Sequence, residues 1–175
     1  MIGNDIVDLA CAAEESDWQR KGWLQKLFTA AEEQLIFAAQ QPRLMVWLLW
    51  SMKEAAYKIW NRESGLSRLM PLRFICTDVR LEDNAAYGTV VFEDQVYPTQ
   101  SRITVDFVHT LALEQNNFGG MAVYINDTAE TMAVPGYALF RDAKGLPFLQ
   151  DKLTGGIRVV SLSHHGRFKA MVFPE

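Results

Sequence analysis

The pattern of hydrophobic and polar positions divides the chain into a helical N-terminal third and a strand-rich remainder. In the first third, Trp and Leu side chains recur at helical spacing after a short strand-like opening. Thr29 followed three positions later by Glu32 has the form of a capping box, which starts a helix. Pro42 then breaks the pattern before a nearly all-apolar helix. We therefore expect one strand and three helices, at about 2–9, 14–28, 29–39 and 43–61.

From residue 72 onward the hydrophobic period changes to two, which is typical of half-buried strands. The segment 126–152 has two prolines, two glycines and no sustained period, which predicts a loop with at most one short helix. The expected strands are 72–81, 87–97 with a turn inside it at Glu93-Asp94, 103–113, 120–125, 157–162 and 168–173, the last two flanking a polar turn at 163–166. Helices followed by strands predict an α+β fold, with the helices packed on an antiparallel sheet.

Composition and charge narrow the classes of protein that the chain can belong to. Its 175 residues, 49% hydrophobic and 22% charged, fit a single globular domain spanning 1–175. The net charge of −4 gives no overall attraction to nucleic acid or to an anionic membrane, so an anionic partner must meet a local basic patch. The most apolar run, 44–52, is shorter than the roughly 20 residues that span a bilayer. Two cysteines without a CxxC pair, and an N-terminus unlike a signal sequence, predict a cytoplasmic protein without a disulfide or zinc site.

The third predicted helix carries the first candidate chemistry. Glu54 and Lys58 lie four positions apart and so share one face, with Lys53 one position round from Glu54. Glu before Lys at this spacing is the preferred helix ion pair, and a structural pair is one interpretation. The surrounding residues are almost all apolar, so the alternative is that Glu54 and Lys58 face a cleft.

Asp5, near the N-terminus, is the second candidate. A carboxylate there can cap the following helix, although Asp8 is better placed for that role. If Asp5 instead faces Glu54 across a cleft, the two carboxylates provide the hard oxygen ligands that suit Mg²⁺. Lys58 would then bind phosphate groups at the same site.

The turn between the last two predicted strands is the third candidate. It holds His164 and His165 and is followed by Arg167, whose nitrogen donors can bind a phosphate. The equally acceptable interpretation is an ordinary exposed hairpin turn.

Three segments taken together resemble a known family. IGNDIVDL at the start, WSMKEAAYK in the third helix and VVSLSHHGRFKAMV near the end resemble, in this order, the IGxDIVEI, KEAxxK and SxSHxxxxAxA signatures of the 4′-phosphopantetheinyl transferase superfamily. With the aspartate motif at the very N-terminus, the order is most similar to holo-acyl-carrier-protein synthase. The resemblance covers 1–74 and about 144–173, whereas the strand-rich segment 75–143 has no counterpart.

The resemblance implies a Mg²⁺-dependent transfer of 4′-phosphopantetheine from coenzyme A to a serine of an acyl or peptidyl carrier protein, as in fatty acid biosynthesis. The serine hydroxyl attacks the β-phosphate and 3′,5′-ADP leaves, with Glu54 or water taking the proton. The implied site consists of Asp5 and Glu54 as Mg²⁺ ligands, Lys58 on the pyrophosphate, His164 on the 3′-phosphate, Lys53 as a second cation, and Arg43 as a further cofactor-binding cation.

The sequence departs from the family pattern at several positions. Val7 replaces a third carboxylate of the larger transferases, and Leu49 stands where the short synthases often have the arginine for which Arg43 would compensate. Glu14 and Glu15 lie where a synthase is expected to present arginines to an acidic carrier protein. The alternative function is therefore a non-catalytic module that binds coenzyme A or a carrier protein.

The number of copies of each motif bears on the oligomeric state. Each motif occurs once, whereas a ligand as large as coenzyme A needs a cleft with walls on both sides. We expect a homo-oligomer with the site at the subunit interface. The alternative is that the segment 75–143 supplies the second wall.

Overall fold

Three helices pack against antiparallel sheets in the part of the chain that the computed structural model describes, residues 1–68, 70–127 and 132–175. The elements are β1 (Ile2–Asp8), α1 (Leu9–Glu15), α2 (Ala30–Ala38), α3 (Pro42–Ser64), β2 (Ile75–Glu82), β3 (Ala85–Phe92), β4 (Gln95–Ile103), β5 (Phe107–Leu113), β6 (Met121–Asp127), β7 (Tyr137–Arg141), β8 (Pro147–Asp151), β9 (Ile157–Val159), β10 (Ser161–His165) and β11 (Phe168–Pro174), with short 3₁₀ turns at Leu24–Lys26 and Pro71–Arg73. The α+β expectation is confirmed. No helix in these ranges is long and apolar enough to cross a membrane.

The strands form three sheets, and β1 connects the two that concern the site. The sheet orders are β1-β5-β4-β3-β2, β10-β11-β6 and β7-β8-β9. Helix α3 packs on the five-stranded sheet and buries the main apolar core. On the other side of β1, the Asn4 backbone N–H donates to Ser161 Oγ at 2.9 Å, and its side-chain amide donates to the Ser161 carbonyl at 2.7 Å. Strand β1 therefore lies between α3 and β10.

The close approach of β1 to α3 depends on a glycine. A Cβ at Gly3 would overlap the carbonyl oxygen of Ala55 in α3. Because Gly3 has no side chain, the strand lies directly on the helix next to the position of Glu54. This contact places the second residue after Gly3, Asp5, beside the polar face of α3.

The helix predictions are confirmed at α2 and α3 and wrong before them. Thr29 and Glu32 form the predicted capping box, and α3 extends one residue earlier and three residues later than expected. The expected helix at 14–28 is absent, because α1 begins directly after β1 and ends at Glu15. The chain then proceeds through turns, with Gly22 at a φ of 78°, a conformation that favours glycine and interrupts a helix.

The strand predictions hold in outline for the first sheet, although the expected strand 103–113 begins only at Phe107, after a turn that follows β4. The expected strand 157–162 is divided into β9 and β10, and the prediction fails in the segment 126–152. The expected strand 87–97 is a β3–β4 hairpin that turns at Glu93-Asp94, where the predicted turn lies. Instead of a loop, the described part of 126–152 contains the end of β6 and the β7–β8 hairpin, and it contains no helix. Residues 128–131 of that predicted loop lie outside the described ranges.

Asp8 joins the end of β1 to both α1 and the last hairpin. Its buried carboxylate accepts hydrogen bonds from the backbone N–H groups of Ala10, at 3.0 Å, and Cys11, at 3.4 Å, which cap α1. Arg167 makes a two-point ion pair with it, at 2.8 Å and 2.9 Å. The Arg167 hydrogen bonds, aided by the backbone donors, hold the pKa of the Asp8 carboxyl well below its usual range.

We expect Asp8→Asn to lower the free energy of unfolding by about 2 kcal/mol at pH 7, since a buried charge-assisted hydrogen bond is lost. A carboxylate whose pKa is lowered by folding stabilises the folded state above its unfolded pKa, and this stabilisation disappears as the pH falls through the folded value. The difference between the wild type and Asp8→Asn should therefore shrink below about pH 4. Urea unfolding at a series of pH values measures it, and a difference independent of pH would contradict the assignment.

Candidate functional site

A cleft of about 620 Å³ opens where β1, α3, β7, β10 and β11 meet. Its volume is in the range of small-molecule sites. The charged and histidine side chains that line it are Asp5, Glu54, Lys58, Arg141, His164 and Lys169. Four of the six predicted site residues are therefore brought together.

The local folding of β1 and α3 explains why the first three of these residues converge. Glu54 and Lys58 lie one turn apart on the face of α3 that lines the cleft. Lys58 Nζ donates to the Asn4 carbonyl at 2.6 Å and to Asp5 Oδ1 at 3.2 Å. The ion pair of Lys58 in the described structure is thus with Asp5, and the interpretation as a helix pair with Glu54 is wrong.

Glu54 is the residue of this group whose pKa the surroundings change most. Its burial and, second, the negative charge of Asp5 raise the pKa of the Glu54 carboxyl to about 7, while Lys58 opposes the shift. Two carboxylates that face one cleft, one of them hard to ionise without further positive charge, fit a divalent cation. Mg²⁺ typically takes one or two protein carboxylates and fills the remaining positions with water and substrate phosphate. The two carboxylates therefore fit a Mg²⁺ site.

Lys53 does not belong to the cleft, which corrects the expectation of a second cation there. Its side chain is fully buried, and Nζ donates to Glu32 Oε2 at 2.8 Å and to the carbonyls of Leu27 and Pro71, both at 2.9 Å. All three ammonium protons are therefore occupied in the core. One step along a helix rotates a side chain by about 100°, which turns Lys53 away from Glu54.

Arg43 is also placed away from the cleft. It is exposed in the first turn of α3 and lies about 16 Å from Glu54 along the helix axis. Leu49, the position for which it was expected to compensate, is fully buried. We therefore assign Arg43 no contact with the ligand.

Of the three candidates His164, His165 and Arg167, the one that lines this cleft is His164, and it lies in β10 instead of in a turn. His165 Nδ1 accepts the Asp8 backbone N–H at 2.9 Å, and its Nε2 lies 3.2 Å from Glu15. Arg167 is held by Asp8. The last two therefore fasten the hairpin to β1 and α1.

Cys11, Glu15 and His165 place three potential metal-ligand atoms within 4.8 Å of one another. Because His165 Nδ1 accepts a backbone N–H, the neutral ring carries its proton on Nε2, next to Glu15. A metal on Nε2 would need that proton removed. A hydrogen bond to Glu15 raises the pKa of the half-buried Cys11 thiol, which also opposes metal binding. We therefore assign these three residues a structural role between α1 and the last hairpin.

Arg141, at the end of β7, is a residue of the cleft that no pattern in the sequence indicates. It lines the cleft together with Leu139 of the same strand. Both residues lie in the segment predicted as a loop, where no periodicity indicated which side chains point inward. A signal was available for a different residue, Arg62 of α3. It lies four positions after Lys58, which itself lies four positions after Glu54, so this spacing places Arg62 on the same helix face.

Comparison with models of protein families gives a match. The family model described as the 4′-phosphopantetheinyl transferase superfamily matches residues 1–112. None of the curated proteins compared with the chain matches it. The matched range contains α3 and all of the five-stranded sheet except Leu113, and so includes Asp5, Glu54 and Lys58.

Proposed function

The chain belongs to the 4′-phosphopantetheinyl transferase superfamily, and we propose that it is a Mg²⁺-dependent enzyme of the holo-acyl-carrier-protein synthase type. The family indicates phosphopantetheinyl transfer with coenzyme A as substrate and, typically, a divalent metal. The proposed reaction moves 4′-phosphopantetheine from coenzyme A to a serine of an acyl or peptidyl carrier protein and releases 3′,5′-ADP. The observation that supports it best is the convergence of Asp5, Glu54, Lys58 and His164 on one cleft.

The proposed roles follow from charge. Asp5 and Glu54 would hold Mg²⁺, which when bound neutralises the charge that develops on the transferring and leaving phosphates. Lys58, already hydrogen-bonded to β1, would bind the pyrophosphate from one fixed direction. His164 would bind the ligand beside the carboxylates.

Strand β7 supplies part of one wall of the cleft. Leu139 and Arg141 of β7 belong to the segment 75–143, the alternative source of a second wall. A neighbouring subunit is therefore not required to form this wall of the cleft. The homo-oligomer remains a prediction, which light scattering of the active protein tests.

The carrier protein requires a basic surface that α1 does not provide, since Glu14 and Glu15 are exposed there. Arg20 and Lys21 instead line a depression of about 340 Å³ that also includes the exposed Phe37. An aromatic side chain with adjacent cations suits an amphipathic acidic helix. We propose this depression as the docking surface of a carrier protein encountered in the cytoplasm.

The test is to incubate the protein with coenzyme A, Mg²⁺ and a panel of apo-carrier proteins. Mass spectrometry should show a gain of about 340 Da on the serine of at least one carrier. The gain should disappear when the metal is chelated. An unchanged mass across acyl and peptidyl carriers would refute the transfer activity.

The second candidate is a non-catalytic coenzyme A-binding or carrier-binding module, which the acidic α1 favours. Coenzyme A with Mg²⁺ should then raise the melting temperature without modifying any carrier. Melting that is unaffected by coenzyme A would exclude both the transferase and the coenzyme A-binding module, and it would leave the carrier-binding module.

A further inference from the structure

The cleft continues past Lys58 into a second depression of about 260 Å³, which we call the cationic annex. The two depressions share Lys58, Arg141 and Leu162. Arg62 and Lys144 complete the set of cations in the annex, and none of its described lining residues is acidic. The cleft thus changes from two carboxylates to four cations over a short distance.

The order of groups along α3 gives the cleft a direction. Trp50, Glu54, Lys58 and Arg62 are spaced four residues apart, so each lies about 6 Å further along one helix face than the one before it. On the N-terminal side of Glu54, a small depression is lined by Trp47, Trp50, His164 and other residues of β1 and β10. The cleft is therefore aromatic at one end, carboxylate in the middle and cationic at the other end.

The cations of the annex are held by a structured turn. Asp142 Oδ1 accepts the backbone N–H groups of Lys144, at 2.9 Å, and Leu146, at 2.8 Å. Arg141 Nη1 donates to the Gly145 carbonyl at 2.7 Å, across the same turn. Asp142 is thus engaged by backbone donors inside the turn, while the side chains of Arg141 and Lys144 line the annex.

Arg62 attaches this hairpin to the helix that carries the metal-ligand candidate. Its Nη2 donates to the carbonyls of Pro147, at 3.1 Å, and Val160, at 2.9 Å. The guanidinium also lies over the Phe148 ring at 5.0 Å. These contacts fix the position of the annex relative to Lys58, so the separation between the two anion-binding regions is set by the fold.

A depression of this size with several cations and no acidic lining suits a phosphate monoester, whose charge the cations offset. Coenzyme A carries such a group, the ribose 3′-phosphate, on the opposite side of its pyrophosphate from the pantetheine arm. We propose that Arg141 and Lys144 bind this 3′-phosphate in the annex, with the nucleotide towards Arg62 and the pantetheine arm towards Trp47 and Trp50. This inference rests on coenzyme A being the ligand, and it replaces His164 as the expected contact of the 3′-phosphate.

The test compares coenzyme A with 3′-dephospho-coenzyme A, which differ only by this phosphate, by calorimetric titration in Mg²⁺. The wild type should bind coenzyme A more tightly. Arg141→Ala and Lys144→Ala should each weaken coenzyme A binding on the order of 10- to 100-fold, the value of a hydrogen bond to a charged group. Binding of the dephospho compound should be unchanged, which also shows that the hairpin has kept its structure.

Two exposed cations outside the cleft, Arg80 and Lys152, provide matched controls, and their alanine variants should keep the wild-type ratio of affinities. His164→Ala should weaken both ligands by the same factor. If His164→Ala alone removed the preference for coenzyme A, the 3′-phosphate would lie at the other end and the proposal would be wrong. Equal binding of the two ligands by the wild type would overturn it as well.

These outcomes are separate from those of the transferase test. An Arg141-dependent preference for coenzyme A without modification of any carrier would support the annex and refute the transfer. Carrier modification with no preference between the two ligands would support the transfer and refute the annex.

Discussion

Asp5→Ala and Glu54→Ala are each expected to reduce the kcat/KM of phosphopantetheinyl transfer by about 10³-fold, comparable to losing one main electrostatic contact of a transition state. Each change removes one of the two carboxylates that would hold the metal, and the other cannot hold it in the same position alone. Neither side chain fills the apolar core, so the melting temperature should stay within a few degrees of the wild type. Carrier mass gain with time measures the rate, and thermal denaturation measures the fold.

Glu33→Ala is the matched control, because Glu33 is a carboxylate of α2 that accepts a hydrogen bond from Gln25 at 2.7 Å and does not line the cleft. It should transfer at the wild-type rate. Glu54→Gln separates charge from shape, and it should be nearly as inactive as Glu54→Ala. Full activity in Glu54→Ala, with or without lower stability, would show that this carboxylate has no part in the reaction.

The convergence of Asp5, Glu54 and Lys58 could be predicted because local rules determine most of it. The helix period puts Glu54 and Lys58 on one face, and a glycine near the start of β1 permits close contact with that face. Asp5 then lies beside the same helix face, because it is the second residue after this glycine in β1. What the spacing did not reveal is that Lys58 bonds to β1 instead of to Glu54, since that depends on the tertiary contact.

The helices differ in how much their boundaries depend on local signals. Thr29, Glu32 and Pro42 define α2 and the start of α3 through capping and a missing N–H, which can be read from neighbouring residues. The stretch 14–28 has helical spacing of Trp and Leu but is interrupted at Gly22, and those side chains pack on α3 from turns. Tertiary packing there overrides the periodic pattern.

The β7–β8 hairpin could not be predicted, although it supplies the annex. Both strands have five residues and β7 is largely exposed, so no alternation of buried and exposed residues distinguishes them from a loop. The side chain of Arg141 enters the cleft from a hairpin that Arg62 fastens to α3. Contacts between residues distant in sequence decide this part of the site.

The buried Lys53 and Glu32 pair should give the largest effect on stability. Lys53→Ala is expected to lower the free energy of unfolding by about 3–5 kcal/mol, because it leaves the buried Glu32 carboxylate without its counter-charge. Two backbone carbonyls, of Leu27 and Pro71, also lose their donor. Urea unfolding at pH 7 measures the loss, with Lys26→Ala as an exposed lysine control that should change the value little.

A double variant, Glu32→Gln with Lys53→Met, distinguishes this structural role from a catalytic one. Removing both charges avoids the uncompensated carboxylate, so the double variant should be more stable than Lys53→Ala. Glutamine can keep a side-chain oxygen for the backbone N–H of Cys76, which Glu32 accepts at 2.8 Å. Since Lys53 has no place in the cleft, carrier modification by the folded double variant should match the wild type. A stable double variant that had lost transfer would instead return Lys53 to the site as the second cation.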